Sequence, residues 1–138
     1  MPFVLDEFLP YRLSVAATEV SRRFAARYAA EAGLSIPEWR VLAHLGHSGA
    51  ASVRDITAKV SLEKSIVSRA ASRLEDRGIL RKSAHDGDRR LIVLELTEDG
   101  TALMARLAEL AEAFQAELRH QLGADAHRFE AALKRLAG

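Results

Sequence analysis

The residues whose chemistry is most informative lie in a basic segment in the middle of the chain. Between positions 59 and 90, nine Lys and Arg residues stand against five Asp and Glu residues, whereas the whole chain of 138 residues carries a net charge of only +1. Guanidinium groups bind phosphate or a guanine edge through two parallel hydrogen bonds, and short Ser side chains approach bases closely. The segment therefore predicts a polyanion-binding surface. A solvated helix face carries similar charge, so charge alone leaves that second interpretation open.

Other kinds of chemistry are poorly represented. The chain contains no cysteine, which excludes disulfides, zinc fingers and thiol-based redox sensing. It has no glycine-rich phosphate loop, no Gly-x-Ser-x-Gly and no His-Glu-x-x-His sequence, so we expect neither an enzyme nor a cofactor. His44 and His47 have a spacing that suits one metal ion, but no nearby carboxylate completes such a site, so we expect no metal.

The composition is that of a globular protein, with 49% apolar and 28% charged residues. No apolar run approaches the roughly 18–20 residues that span a bilayer. The first residues lack the basic region and the long apolar core of a signal peptide. We therefore expect a cytoplasmic protein with no membrane partner.

Two helices are expected before the basic segment. Apolar residues at three- and four-residue steps predict an amphipathic helix from about residue 7 to 32, and Gly33 is its stop signal. Ser35 and Glu38 have the spacing of a capping box, which predicts the start of a second helix.

A helix-turn-helix pattern leads into the basic segment. Ser52 caps a short helix over 53–60, and after a tight turn a longer helix runs over about 63–77 to Gly78. Such a second helix lies in the major groove of DNA with its N-terminal residues facing base edges. Glu63 repels phosphate, so we expect it to cap this helix rather than touch DNA. The side chains expected to face DNA are Lys64, Ser65, Ser68, Arg69, Ser72 and Arg73. The side chains expected to be buried are Ile66, Val67, Ala70 and Leu74.

A β-hairpin is predicted next, with the whole element over about 79–96. Its tip carries Asp88, Arg89 and Arg90. An Arg at the tip is attracted by the negative potential of a narrow minor groove. Because alternate residues of an extended chain point to the same side, Asp88 is placed to orient the guanidinium of Arg90, and Arg89 is expected to contact phosphate. The fold class is therefore mostly α with a small β-hairpin wing, a winged helix-turn-helix.

Long apolar seams mark both ends of the chain. Thr97 caps a long helix, Gly123 breaks it, and a last helix follows over about 125–136. We expect residues 1–34 and 98–138 to form a helical dimerisation region around a DNA-binding domain at 35–97, because the simplest partner for these seams is a second copy. The alternative is that the seams fold back on the central domain of a monomer. The seam residues expected at the dimer interface are Leu13, Leu107, Leu110, Phe114, Phe129 and Leu133.

These features together resemble the MarR family of bacterial transcription regulators. The run from Ser35 to Leu42 resembles the opening of that family's second helix, and residues 64–69 with 74–80 resemble its recognition helix and exit. Asp88, Arg90, Leu96 and Thr97 match its Asp-x-Arg…Leu-Thr wing pattern. Two positions depart from the family pattern, with Ser61 where a Gly is usual and Glu63 where an Asp is frequent.

The resemblance implies a homodimer that binds a near-palindromic operator, often as a repressor. It also implies release of DNA when a small aromatic or phenolic effector binds between the dimerisation helices and the DNA-binding lobe. The side chains that are candidates to line that pocket are Tyr11, Arg12, Phe24, Tyr28, Trp39 and His44. The alternative for the three large aromatic residues Phe24, Tyr28 and Trp39 is a role in the core. An alternative for the protein as a whole is a winged-helix adaptor that has lost specific DNA binding.

Overall fold

The computed structural model of the protein describes residues 2–138, so the first residue of the predicted 1–34 region lies outside the described residues. Within this part of the chain the structure is mostly helical, with one small sheet, as predicted. The elements are α1 (Leu9–Ala32), α2 (Ile36–Ser48), β1 (Ala51–Ser52), α3 (Val53–Val60), α4 (Lys64–Asp76), β2 (Leu80–Ala84), β3 (Ile92–Leu96), α5 (Glu98–Leu122) and α6 (Ala126–Ala137). Short 3-10 helices precede α1 (Leu5–Glu7) and α6 (Gly123–Asp125). None of the helices in residues 2–138 combines the length and apolar character needed to cross a membrane.

The caps of α2 and α3 form as predicted. The Ser35 hydroxyl accepts from the Glu38 amide at 3.3 Å, and the Glu38 carboxylate accepts from the Ser35 amide at 3.1 Å. The Ser52 hydroxyl accepts from the Asp55 amide at 3.0 Å. Each cap satisfies backbone donors that a helix start leaves without a partner. The starts of α2 and α3 are therefore determined by residues that lie close together in the sequence.

The sheet has three antiparallel strands in the order β1-β3-β2. The predicted hairpin is confirmed, with Leu80 opposite Leu96 and Ala84 opposite Ile92. Strand β1 was not predicted, since two residues are too few to show an alternating pattern. It pairs with β3 through Ala51 and ties the start of α3 to the root of the wing.

The core is continuous from the helix-turn-helix to the long helices. Val41, Ile56, Val67 and Leu94 are completely buried between α2, α3, α4 and the sheet. On the other side α5 joins the same core through Leu107, which is also completely buried. Burial of this kind is the main source of the stability that holds α4 in place.

A close backbone contact joins α5 to β2. Thr97, the N-cap of α5, donates its backbone N–H to the Ile79 carbonyl at 3.0 Å, and its hydroxyl lies 2.6 Å from the Gly78 carbonyl oxygen. A Cβ atom on Gly100 would overlap the Ile79 carbonyl oxygen. The sequence suggested only that Gly100 is tolerated near the start of α5, whereas the structure requires a glycine there.

The apolar seams at the two ends of the chain are not covered in the way that was predicted. Leu107 is completely buried and Phe114 is 5% exposed inside the protomer, because this face of α5 is covered by α1 and α2. Their predicted place at the interface between copies is therefore corrected to a place in the protomer core, against which Leu110 also packs. Phe129 and Leu133 of α6 are 44% and 39% exposed in the protomer, so their place at the dimer interface stays a prediction. Leu136 at 66% and Leu13 at 39% are exposed as well.

Polar contacts hold α1 against α5 beside this core. The Arg27 guanidinium forms a fork with the Glu117 carboxylate and lies over the Phe114 ring, 5.0 Å from its centre. The Glu117 hydrogen bond raises the pKa of Arg27, and the same contact lowers the pKa of Glu117. Arg23 adds a hydrogen bond to Gln121 at 3.2 Å. The second half of α1 thus packs against α5 within the protomer, whereas the residues of its first half are exposed.

Candidate nucleic-acid interface

The turn before α4 keeps the geometry that a glycine would provide. Ser61 lies in the left-handed region, with φ of 55°. This conformation costs a non-glycine residue roughly 1–2 kcal/mol, so the departure from the family pattern is tolerated without a change of path. Glu63 is the N-cap residue of α4, as expected from its position, but its side chain makes no capping hydrogen bond. The expectation that the Glu63 side chain caps the helix is therefore wrong.

The N-terminal half of α4 presents the short and basic side chains that were predicted to meet DNA. Lys64, Ser65 and Arg69 are exposed, and Ser68 is half-buried. The opposite side of the helix is anchored in the core, where Val67, Ala70, Ala71 and Leu74 are completely buried. Of the predicted buried residues only Ile66 is half-buried instead.

Two of the predicted DNA-facing residues have partners within the protomer. Ser72 accepts a hydrogen bond from Lys82 of β2 at 2.7 Å. The Arg73 guanidinium lies 3.7 Å from the buried Glu38 carboxylate. These contacts fix α4 against the wing and against α2. A direct contact of Ser72 or Arg73 with DNA stays a prediction.

The wing holds one arginine in a fixed and open position. The Asp88 carboxylate accepts from the Arg90 amide at 3.0 Å and from its guanidinium at 3.2 Å and 3.4 Å. The Arg90 side chain is nevertheless 91% exposed. The side-chain and backbone hydrogen bonds of Arg90 lower the pKa of Asp88. The predicted orienting contact between Asp88 and Arg90 is therefore present, and the neighbouring Arg89 is exposed beside it.

His85 organises the turn below this arginine. Its Nδ1 atom accepts from the backbone N–H groups of Gly87 and Asp88 at 3.0 Å and 3.1 Å. A polar side chain that accepts from amides two and three residues later is a recognised turn device. Sequence reasoning missed this role of His85, although the residue stands directly ahead of the Asp-Gly pair.

A groove between α3, α4 and the wing brings several of these residues together. It has a volume of about 410 Å³. Its lining residues are Val53, Arg54, Thr57, Lys64, Ser68, Arg90, Leu91 and Ile92. Three predicted DNA-binding residues thus line one surface: Lys64 and Ser68 from α4, and Arg90 from the wing. Sequence reasoning missed Arg54 and Thr57, since α3 was treated only as the first helix of the helix-turn-helix.

The predicted effector residues do not meet in one pocket of the protomer. The rings of Phe24, Tyr28, Trp39 and Phe114 pack against one another, with centres 5.2–5.3 Å apart. Burial raises the pKa of the Tyr28 phenol, an effect that the positive charge of Arg40 partly offsets. The space between these rings is filled, so the structure favours the alternative of core residues for Phe24, Tyr28 and Trp39.

The other three predicted effector residues are distant from this cluster or separate from it. Tyr11 and Arg12 are exposed near the start of α1, and a helix rises 1.5 Å per residue, which puts Tyr11 about 20 Å from Phe24 along the axis. His44 is half-buried on α2. Residues 2–138 contain no group of three His, Asp or Glu side chains that could hold a metal ion.

A second groove of about 470 Å³ lies where the end of α2 meets β3 and α5, away from these residues. Its lining residues are Leu45, Gly46, Gly49, Ala50, Glu95, Leu96, Thr101, Met104, Ala105 and Ala108. It is the larger of the two grooves described.

A helix-turn-helix followed by a hairpin with an oriented arginine defines a winged-helix protein. Residues 34–92 match the model of the MarR family. Two curated relatives are similar to part of the chain. An uncharacterised HTH-type transcriptional regulator, YfiV, of Bacillus subtilis is 33% identical over 76 residues. The HTH-type transcriptional regulator PecS of Dickeya dadantii is 35% identical over 79 residues. Each match covers 55% of this chain and 48% of the relative, so the chain matches about half the length of these relatives. Over residues 34–92 the chain is therefore similar to the MarR family.

Solved structures extend the likeness to the whole chain. A MarR family transcriptional regulator from Silicibacter pomeroyi is 29% identical, with a TM-score of 0.81 over 99% of this chain and 97% of that one. Bordetella bronchiseptica BpsR, whose DNA binding is regulated by 6-hydroxynicotinic acid, is 24% identical with a TM-score of 0.82 and covers 99% of this chain and 97% of its own. A MarR variant from E. coli complexed with operator DNA is 20% identical with a TM-score of 0.82 and covers 99% and 100%. The long helices at both ends are thus part of the shared fold.

Proposed function

We propose that the protein is a homodimeric, DNA-binding transcription regulator that acts as a repressor at a near-palindromic operator. The observation that carries this proposal is the arginine of the wing, which is held by Asp88 and yet almost fully exposed, on the same groove as Lys64 and Ser68 of α4. An oriented and unshielded guanidinium is prepared for an anionic or hydrogen-bonding surface. The E. coli relative that was solved with operator DNA supports DNA as that surface.

The proposal of a dimer rests on apolar side chains that a single copy leaves in water. These lie at both ends of the chain and include Phe3, Val4, Leu5, Phe8, Leu9, Tyr11, Leu13, Val15, Leu122, Phe129, Leu133 and Leu136. Exposed large apolar side chains in this number are typical of a subunit interface. The first half of α1 is exposed throughout, and a helix of about 12 residues is marginally stable in water without a partner.

A two-fold dimer explains why the operator is expected to be near-palindromic. Each copy presents one α4 and one wing, and symmetric proteins read symmetric half-sites about 34 Å apart, one turn of DNA. Each α4 enters a major groove and each Arg90 enters the minor groove beside it. Binding then requires both half-sites at once, so a small change in the separation of the two copies weakens both contacts together.

A small aromatic acid or phenol is proposed as the effector, on the strength of BpsR and its response to 6-hydroxynicotinic acid. The ligand acts only through its different affinity for the DNA-competent and the released spacing of the two copies. A thermal-shift screen of aromatic acids and phenols tests this part. A compound that raises the melting temperature and lowers operator affinity supports it, and a complete screen without such a compound counts against it.

The main experiment selects preferred duplexes from a random pool with the purified protein and measures affinity for the selected and for random DNA. We expect a clear preference for a near-palindrome, and a loss of affinity for Arg90→Ala but not for the control Arg106→Ala on α5. Equal, weak binding to all duplexes would instead favour a winged-helix adaptor. Sedimentation of the same sample shows whether the binding species is a dimer.

A further inference from the structure

The groove between α3, α4 and the wing gathers positive charge from three separate elements. Arg54 lies on α3, Lys64 begins α4, and Arg90 lies on the wing. No lining residue of this groove is acidic. Among the described residues, Arg54 and Lys64 have no ion pair or side-chain hydrogen bond, and Arg90 is paired only with Asp88. Cations that share a groove without matching anions repel one another and attract an anion from outside.

The charge of Asp88 does not neutralise this groove. The positive charge of Arg54 contributes to the lowered pKa of Asp88, which places the two side chains within reach of each other's field. A single carboxylate against three cations leaves an excess of positive charge in the groove.

The two hydroxyl groups of the groove differ in what they can offer to an anion. The Thr57 hydroxyl donates its hydrogen to the Val53 carbonyl at 2.7 Å, so it has none left for a phosphate oxygen. The Ser68 hydroxyl makes no hydrogen bond within the described residues, so its hydrogen is free. An anion in the groove therefore meets Arg54, Lys64 and Ser68 as donors, above an apolar floor that includes Leu91.

We propose that this groove binds a phosphate of the DNA backbone and that Arg54 is its principal ligand on α3. The inference rests on the proposed function. A DNA strand runs between the major groove and the adjacent minor groove, so a protein that puts α4 in the first and the wing in the second must carry that strand across the space between them. The groove occupies that space. Because a phosphate carries no sequence information, Arg54 adds affinity for any duplex and fixes the register of α4 and the wing on it.

The test compares Arg54→Ala with Lys59→Ala, which removes one positive charge from the same helix at an exposed position outside the groove. For Arg54→Ala we expect affinity to fall about tenfold or more on selected and random duplexes alike. The slope of log K against log salt should become shallower by about one. Lys59→Ala should leave both close to wild type. An unchanged slope for Arg54→Ala, or an equal effect of both variants, overturns the inference.

A second arm locates the contact on DNA. Neutral methylphosphonates are placed one at a time along the selected duplex. We expect one position between the α4 and wing contacts to weaken the wild type but not to weaken Arg54→Ala further. Additive losses at every position overturn the inference while leaving the proposed function intact. If the wild type ignores duplex DNA but inorganic phosphate shifts the Arg54 side-chain NMR signal, the groove is a free-anion site, and both proposals fail.

Discussion

The Arg77 guanidinium, at the end of α4, donates a hydrogen bond to the carbonyl of Ala32, the last residue of α1, at 2.8 Å. A carbonyl at a helix end has no partner within its own helix and carries the negative end of the helix dipole. Among the side-chain hydrogen bonds and ion pairs of residues 2–138, this is the one that joins α1 to the helix-turn-helix. It ties α4, which is proposed to read DNA, to a helix whose exposed half is proposed to meet the second copy.

Replacing Arg77 by Met removes this tie at little change in side-chain length. We expect a small loss of stability, below about 1 kcal/mol because the contact is exposed, and a larger loss of operator affinity. Since the chain has no cysteine, a spin label on Ala58→Cys reports the separation of the two α3 helices in the dimer. That distance distribution should broaden in Arg77→Met and stay narrow in the control Lys59→Met. Equal widths would show that the hydrogen bond does not set the orientation of α4.

Removing Arg90 should change the titration of its partner. Because the Arg90 hydrogen bonds lower the pKa of Asp88, Arg90→Ala should raise that pKa back towards the ordinary range of a carboxyl group. Carbon NMR of the Asp88 carboxyl group measures this directly. In the wild type the contact should persist at all pH values above the ordinary range and be lost only as the pH falls through the lowered pKa. An unshifted Asp88 in the variant would mean that the contact is not formed in solution.

Asp88→Asn distinguishes the effect of Asp88 on the orientation of Arg90 from the effect of its own negative charge. The substitution removes a negative charge from the DNA-facing side, so affinity for random duplex should rise or stay level. The guanidinium of Arg90 loses its charged partner, so the preference for the selected operator over random DNA should fall. The measurement is the ratio of the two affinities at one salt concentration. A ratio equal to that of the wild type would remove Asp88 from any role in recognition.

Two glycine substitutions should differ in their effect on stability. Gly100→Ala places a methyl group against the Ile79 backbone, which cannot move without the strand, and should destabilise the protein by about 2–3 kcal/mol. Gly46→Ala places it 2.6 Å from Cγ of Met104, a flexible side chain that can turn away, and gains about 1 kcal/mol of helix propensity. Denaturant unfolding should therefore show a clear loss only for Gly100→Ala. Similar losses in both variants would contradict the distinction.

Substitutions at buried and at exposed seam residues should have different effects: the first should prevent folding, and the second should prevent dimer assembly. Leu107→Asp buries a charge in the protomer core, so it should unfold the chain, at a cost above about 4 kcal/mol. Leu133→Asp lies on the exposed face of α6 and should leave the helical circular dichroism signal intact while producing monomers in sedimentation. A folded Leu133→Asp dimer would show that α6 is not at the interface.

Several features that depend on neighbours in sequence could be predicted, because the physics is local, although the Glu63 side-chain cap did not form and the His85 turn contact was missed. The capping residues Ser35, Ser52 and Thr97 satisfy amides three residues away, and the contact of Asp88 with Arg90 spans two residues. The pattern of residue types contains everything that such contacts require.

Features that depend on what lies opposite a residue could not be predicted in the same way. The spacing of Leu107 and Leu133 shows that each belongs to an apolar face, but not whether α1 or a second copy covers it. The same holds for Trp39, whose ring type fits a binding pocket as well as the filled aromatic cluster where it is found. Arg54 was missed because its significance comes from Lys64 and Arg90, which are distant in the chain and adjacent only in the fold.

The backbone contact of α5 with β2 has a mechanical consequence. Thr97 is hydrogen-bonded to the carbonyl groups of Gly78 and Ile79, directly before β2. Because Gly100 has no side chain, the backbone of α5 packs directly against the Ile79 backbone. A rotation of α5 therefore moves the base of the β2–β3 hairpin directly. In the proposed dimer, the angle between the two subunits and the position of their Arg90 side chains then change together.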